Sequence, residues 1–237
     1  MATQQFTISL NEILFIFTRA GFGVNAPIGI SEDFARSNMW LAENGFDPSL
    51  CSIAALDSLD EGRSSLAIEY SNGHFSGSGK QYLSAIQASV SALDWIKSNQ
   101  GLALTIANVD SPLLVLAALG ANQVEGWQVC WCDETDASFQ VNFVGKGQWQ
   151  IISDGSTAIE LSKGATMMMS LLDNSELTLK GEIQKFDTEI EKNKILKTGV
   201  AVHEHWDAIY AYFSRCLVKS TAESRASGAG AGLVDTD

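Results

Sequence analysis

Apolar residues in the first sixty positions recur every three or four residues, the spacing that lines one face of a helix. Ser9-Leu-Asn-Glu12 opens the first helix as a capping box, with Ile8 and Ile13 placed as its hydrophobic staple. Leu10, Ile13, Leu14 and Phe17 form the stripe, and Gly21 suits a left-handed cap after Arg19 or Ala20. Phe15 and Ile16 fall outside the stripe, so a second surface must cover them, and a partner is the expectation. A second helix is expected from Pro27 or Ser31 to just before Gly45, carrying Phe34, Met39, Trp40 and Leu41. Asp47-Pro48 sets the start of a third through Ile53, Leu56 and Leu59, because proline suits the first helical position.

After Gly62 the pattern shifts. Residues 65–70 read as a strand, with Asn72-Gly73 and Gly77-Ser-Gly79 as turns. Tyr82, Ile86, Val90, Leu93 and Ile96 predict a helix over 80–98, stopped at Gly101, and a strand over 102–107 follows. The Pro112-led apolar run 113–119 fits a buried strand or a short helix equally well. Residues 127–132, 138–144 and 148–152, joined by short polar connections, predict an antiparallel meander. Trp127, Val129 and Trp131 share one face of its first strand, as Phe139, Val141 and Phe143 do in the second. Further strands are expected at 158–161 and 167–172, where Met167-Met-Met169 reads as core filler. A charged stretch, 186–197, is a solvated helix or connector; a strand at 200–202 and a helix at 206–218 follow, with Ile209, Tyr212, Phe213 and Cys216 inward.

This order predicts an α+β fold: an N-terminal helical unit at 1–62, then a largely antiparallel sheet with flanking helices at 63–223. A Gly-rich tail at 224–237 is expected to pack on that body or on a neighbouring subunit. With 46% hydrophobic residues in 237, the chain can bury a substantial core. A net charge of -13 without a basic cluster excludes nucleic-acid and anionic-membrane partners. Charged residues are only 18% of the chain, which points to surface hidden in a homo-oligomer. The start lacks the basic residues of a secretory signal, and the apolar stretch 13–17 falls far short of the roughly 20 residues that span a bilayer, so a cytoplasmic protein is expected. Four cysteines without a Cys-x-x-Cys pair fit a reducing compartment. Cys130-Trp-Cys132 on a strand puts two thiols on one face, where they could share a metal; packing as small buried hydrophobes is the simpler account.

Several residues carry candidate chemistry. His203-Glu-His205 places two imidazoles for a metal, with Asp207 or His74 to complete the set, although Glu204 at a helix start explains the segment more simply. His74, after Asn72-Gly73, is a turn residue or a loop general base, with no Gly-x-Ser-x-Gly nucleophile to serve. Gly77-Ser-Gly-Lys80 precedes a predicted helix and offers anion binding through amides and Lys80. It lacks full phosphate-loop spacing, since Gln81 stands where a hydroxyl is required. In the tail, Arg225 suits two parallel hydrogen bonds to a carboxylate or phosphate. Gly228, Gly230 and Gly232 permit close backbone approach there, and Asp235 and Asp237 suit a cation or a subunit's basic residue.

Ser9-Leu-Asn-Glu12, the stretch Phe34-Ala-Arg followed by Trp40-Leu-Ala-Glu-Asn-Gly45, and the ending from Ser224-Arg225 through Gly228-Ala-Gly-Ala-Gly-Leu together resemble a bacterial family, domain of unknown function 3726. The chain departs from the family pattern at Lys219-Ser220, where the family has a proline, and at Asp235-Thr-Asp237. The resemblance implies an ordered tail and supplies no reaction or cofactor. The resulting expectation is a cytosolic bacterial homo-oligomer that binds a small anionic metabolite, with Arg225 and the tail closing the site and catalysis unassigned. The alternative is a noncatalytic assembly subunit that docks through its tail and first helix.

Overall fold

The first helix begins where the capping box puts it. In the computed structural model, which describes residues 6–79, 81–99, 101–155, 157–172 and 180–217, the Glu12 amide donates to Ser9 Oγ at 3.3 Å and the Ser9 amide donates to Glu12 Oε2 at 2.8 Å. After a short strand β1 (Thr7–Ile8), α1 spans Leu10–Gly23 and runs past Gly21. The left-handed residue is instead Asn25, at φ 62°. Helices α2 (Ile28–Glu43) and α3 (Ser49–Asp60) complete the N-terminal unit. Asp47 caps α3 by accepting from the Ser49 amide at 2.9 Å.

The β region then opens with β2 (Ser64–Ser65), β3 (Ile68–Ser71), β4 (His74–Gly77) and β5 (Tyr82–Leu83). Asn72 and Gly73 both take positive φ, 47° and 75°, the two-residue hairpin turn that matches strand twist. The helix expected from residue 80 begins later, as α4 (Ala85–Ser98), because Tyr82 and Leu83 pair with Ser64 and Ser65. Strand β6 (Leu104–Val109) leads into α5 (Pro112–Ala121), which settles the ambiguous apolar run as a helix. Every residue from Pro112 to Leu119 is buried, as a helix apolar on all sides requires.

The meander follows as expected: β7 (Trp127–Cys132), β8 (Ser138–Gly145) and β9 (Gln148–Ser153). A short 3₁₀ turn, Ile159–Leu161, replaces the strand expected there. Strands β10 (Ala165–Leu171) and β11 (Glu182–Asp187), helix α6 (Thr188–Thr198), strand β12 (Val200–Ala201) and helix α7 (Asp207–Ser214) complete the described chain.

The main sheet runs β11-β9-β8-β7-β10-β6-β4-β3, with β5 beside β6 and β2 beside β5, while β1 pairs with β12 separately. From β11 to β6 every pairing is antiparallel; β4 and β5 join β6 in parallel. Strand β6 is therefore where the sheet changes sense. The architecture is α+β, a mostly antiparallel sheet with flanking helices.

One face of the sheet carries Trp127, Val129, Trp131, Phe139, Val141, Phe143, Met167 and Met169, all buried. Helix α5 lies between α2 and α4 in the same core. Two expectations change here. Cys130 and Cys132 share a strand face, but the opposite one to Trp131, so neither thiol packs into the core; Cys132 is exposed. Met168 likewise points away from Met167 and Met169. On the second side of α1, Ile16 is buried within the chain, while Phe15 meets Phe213 of α7 at 5.6 Å and stays 49% exposed. Cys216, expected inward, is exposed.

Candidate functional site

The residues singled out by sequence do not converge. Lys80, Arg225, Gly228, Gly230, Gly232 and Asp235 lie outside the described residues. His74 sits exposed at the start of β4, opposite Ser71 in the hairpin. His203 and His205 stack at 5.5 Å between ring centroids, beside Asp47 rather than Asp207 or His74. His205 Nε2 is 2.8 Å from Asp47 Oδ2, and Trp206 Nε1 donates to Asp47 Oδ1 at 3.0 Å. Burial would raise the Asp47 carboxyl, but hydrogen bonds from Ser49, His205 and Trp206 outweigh it and hold the pKa below its ordinary value. This carboxylate ties the 3₁₀ turn Glu204–Trp206 to α3. Among the described residues, no group of three or more His, Cys, Asp or Glu is arranged to hold a metal.

Two of the cavities are lined by charged side chains of both signs. The larger, about 470 Å³, lies between α2, the end of α5 and the start of α6, and is lined by Arg36, Lys146 and Lys192. Two of those cations are already engaged: Arg36 with Asp33 at 2.6 Å and Lys192 with Glu43 at 2.7 Å. Its charges are largely internally compensated.

The smaller cavity, about 130 Å³, lies where the sheet changes sense. Asp110, immediately after β6, is only 6% exposed and lines it. Its Oδ1 accepts from the Ala85 amide at 2.8 Å, so an internal carboxylate occupies the helix start at which an external anion was expected. Ser84, the residue preceding α4, makes no side-chain cap. Asp110 Oδ2 is buried with no hydrogen-bond partner, and so are the hydroxyls of Ser58, Ser64 and Ser84. Burial pushes the Asp110 carboxyl up to about 7; the Ala85 amide, the nearby Ser64 hydroxyl and Ser111 amide, and the Arg63 charge oppose this without cancelling it.

Other elements close the cavity. Helix α3 supplies Asp57 and Ser58, the loop after it Arg63, β5 Tyr82, the β7–β8 turn Glu134, and the segment before β10 Lys163 and Gly164. Backbone bonds fix these walls: Tyr82 N to Arg63 O at 3.0 Å and Glu134 N to Lys163 O at 3.2 Å. Gly164 suits its place through its backbone, at φ 61°; an added Cβ would lie 2.9 Å from Glu134 Oε2, but that carboxylate end is free to shift. Asp57 Oδ1 accepts from the Tyr212 hydroxyl at 2.6 Å, which joins the cavity wall to α7.

A buried carboxyl with an orphaned oxygen, a pKa near neutrality and cations at the cavity wall is an arrangement suited to proton exchange with a bound molecule. No pattern in the sequence marked it, because Asp110 stands alone before the Pro112-led run with no chemistry-bearing residue at motif spacing. Only the β5–β6 pairing brings Asp110 to the amide of Ala85.

The fold has known counterparts. A dehydrogenase from Sinorhizobium meliloti superposes with a TM-score of 0.57 at 8% identity, covering 89% of this chain and 100% of that one. Malate dehydrogenase from Pyrococcus horikoshii gives 0.56 at 8% identity, covering 92% and 97%. Delta1-piperideine-2-carboxylate reductase from Pseudomonas syringae gives 0.53 at 8% identity, covering 89% and 100%. At such identity the likeness establishes the fold alone. No family model matches the chain, and no curated protein matches it by sequence. Among the described residues, no helix is long and apolar enough to cross a membrane.

Proposed function

We propose that the chain binds a small carboxylate-bearing metabolite in the Asp110 cavity, with Lys163 and Arg63 receiving the carboxylate and Asp110 exchanging a proton with the bound molecule. The observation that carries this reading is Asp110 Oδ2, an enclosed acceptor that forms no hydrogen bond among the described residues, although the Ser64 hydroxyl lies near the carboxyl. Leaving such a group unmatched costs about 1–3 kcal/mol, a cost a ligand removes when it binds. The fold likeness is in keeping with it, since two of the counterparts are named for small carboxylates, malate and piperideine-2-carboxylate. Lys163 is the directing cation: among the described residues no hydrogen bond or ion pair engages its side chain, whereas Arg63 Nε already donates to Glu61 at 2.6 Å.

Thermal unfolding with a panel of two- to four-carbon carboxylates tests the reading. A ligand at one hundred times its Kd stabilises by about 2.7 kcal/mol, a readily measured rise in Tm. Lys163→Met should remove that response while leaving the ligand-free Tm unchanged. A response in wild type that Lys163→Met fully retains refutes the assignment.

A further inference from the structure

The cavity has two chemically different ends. Its buried end presents an acceptor, Asp110 Oδ2, beside the unpartnered Ser58 hydroxyl. Its outer wall carries two exposed cations, Lys163 and Arg63, the latter paired with Glu61 and near enough to Asp110 for its charge to be felt there. The charged and titratable groups facing it are Asp57 from α3, Arg63 from the following loop, Tyr82 from β5, Asp110 after β6, Glu134 from the β7–β8 turn and Lys163 before β10. With Asp110 ionised, that makes three carboxylates against two cations.

A plain anion would put its charge among those carboxylates with only two cations in compensation. A plain cation would face Lys163 and Arg63. A molecule with an ammonium at one end and a carboxylate at the other matches both ends at once. The cavity, about 130 Å³, limits the ligand to a small molecule. A metal ion in place of the ammonium is not supported by the carboxylate geometry, since no three acidic or His/Cys side chains among the described residues converge on one point.

We propose that the ligand of the Asp110 cavity is a small zwitterionic amino acid, its ammonium donating to Asp110 Oδ2 and its carboxylate held by Lys163 and Arg63. This rests on the carboxylate-binding reading above and adds the amino group to it. The contact is a proton-sharing hydrogen bond, N–H to Oδ2; with the carboxyl protonated, Oδ2 has no charge to offer and the ammonium loses its partner. Affinity for the zwitterion should therefore rise as Asp110 ionises.

Calorimetric titration of the full-length protein with L-alanine and with L-lactate, nearly isosteric but with a hydroxyl for the ammonium, tests this at pH 6 and pH 8. The expected result is at least tenfold tighter binding of L-alanine at pH 8, a preference that shrinks at pH 6. Asp110→Asn should remove the preference, whereas Lys163→Met should weaken both ligands alike. L-lactate binding as tightly as L-alanine at pH 8 overturns the amino-acid inference and leaves the carboxylate reading standing. Failure of both ligands to bind wild type at millimolar concentration overturns the two together and leaves a water-filled cavity. The wild-type comparison at two pH values stands even if a variant fails to fold.

Discussion

Replacing Asp110 with Asn separates the buried charge from the buried shape. Asn keeps an oxygen to accept from the Ala85 amide and sets a neutral amide where Oδ2 stood, in nearly the same volume. In the unfolded chain Asp110 ionises near its ordinary value of 3.8; in the folded protein it does so at about 7. Between those values the native state holds a proton that the unfolded state has lost. Wild-type stability therefore falls as pH rises through this window, and the loss is complete above about 7. At 1.36 kcal/mol per pH unit, the shift of about three units amounts to roughly 4 kcal/mol. For a chain of this size that is on the order of 8–16 °C in Tm.

Urea denaturation of both proteins without ligand, from pH 4.5 to 8.5, reads the effect as a difference curve. Groups distant from Asp110 cancel in the difference. A constant offset of about 1–2 kcal/mol for the altered hydrogen bonding is expected at acid pH. Above that offset, Asp110→Asn should gain on wild type by several kcal/mol as pH rises from 5 to 8. A difference curve flat within about 1 kcal/mol would show that the carboxyl titrates like an exposed one, and the electrostatic basis of the site would fall.

Two further outcomes follow from other parts of the chain. Asp47→Ala deletes the α3 cap and strands the Trp206 indole N–H, so a loss of about 2–4 kcal/mol is expected in urea at pH 7. Because the Asp47 pKa is depressed, this stabilisation is present above pH 4 and disappears as pH falls below it; an equal loss at pH 3 refutes the cap. If the terminal segment closes the metabolite site, Arg225→Ala abolishes ligand-induced thermal stabilisation and leaves the oligomeric state, read by light scattering, unchanged; dissociation without loss of ligand response points instead to an assembly role.

Much of the fold was legible because local signals agreed with tertiary context. The capping box at Ser9–Glu12, the Asn72-Gly73 turn and the meander of alternating aromatic residues each carry their geometry within a few residues. The failures share a cause. Tyr82 and Leu83 fit a helical period, yet they become a strand because Ser64 and Ser65 offer parallel pairing from far upstream. Cys130 and Cys132 obey the alternation; which face meets the helices is decided by Trp127, Val129 and Trp131, whose burial outweighs that of two thiols. The contact of Phe15 with Phe213 was not legible because α7 lies nearly two hundred residues away in sequence, and it leaves Phe15 half exposed.

The Asp110 site carries no local sequence motif for a related reason. Motifs register groups that act from neighbouring positions, as in His203-Glu-His205, and here that spacing led to a structural carboxylate, Asp47, engaged by His205 and Trp206. The Asp110 cavity is instead assembled from α3, the following loop, β5, the end of β6, the β7–β8 turn and the entry to β10. Each contributes one or two polar residues that are unremarkable locally. What makes them a site is subtraction: Asp110 gives one oxygen to α4 and retains another that forms no hydrogen bond among the described residues. A carboxylate serving only as a cap would gain by opening that oxygen to water or by pairing it with Arg63. The fold does neither, and the unmet acceptor, in a cavity also lined by Lys163, is the reason to seek its ligand there; the larger cleft has Lys146 too, but its Arg36 and Lys192 already have carboxylate partners and it holds no such acceptor among the described residues.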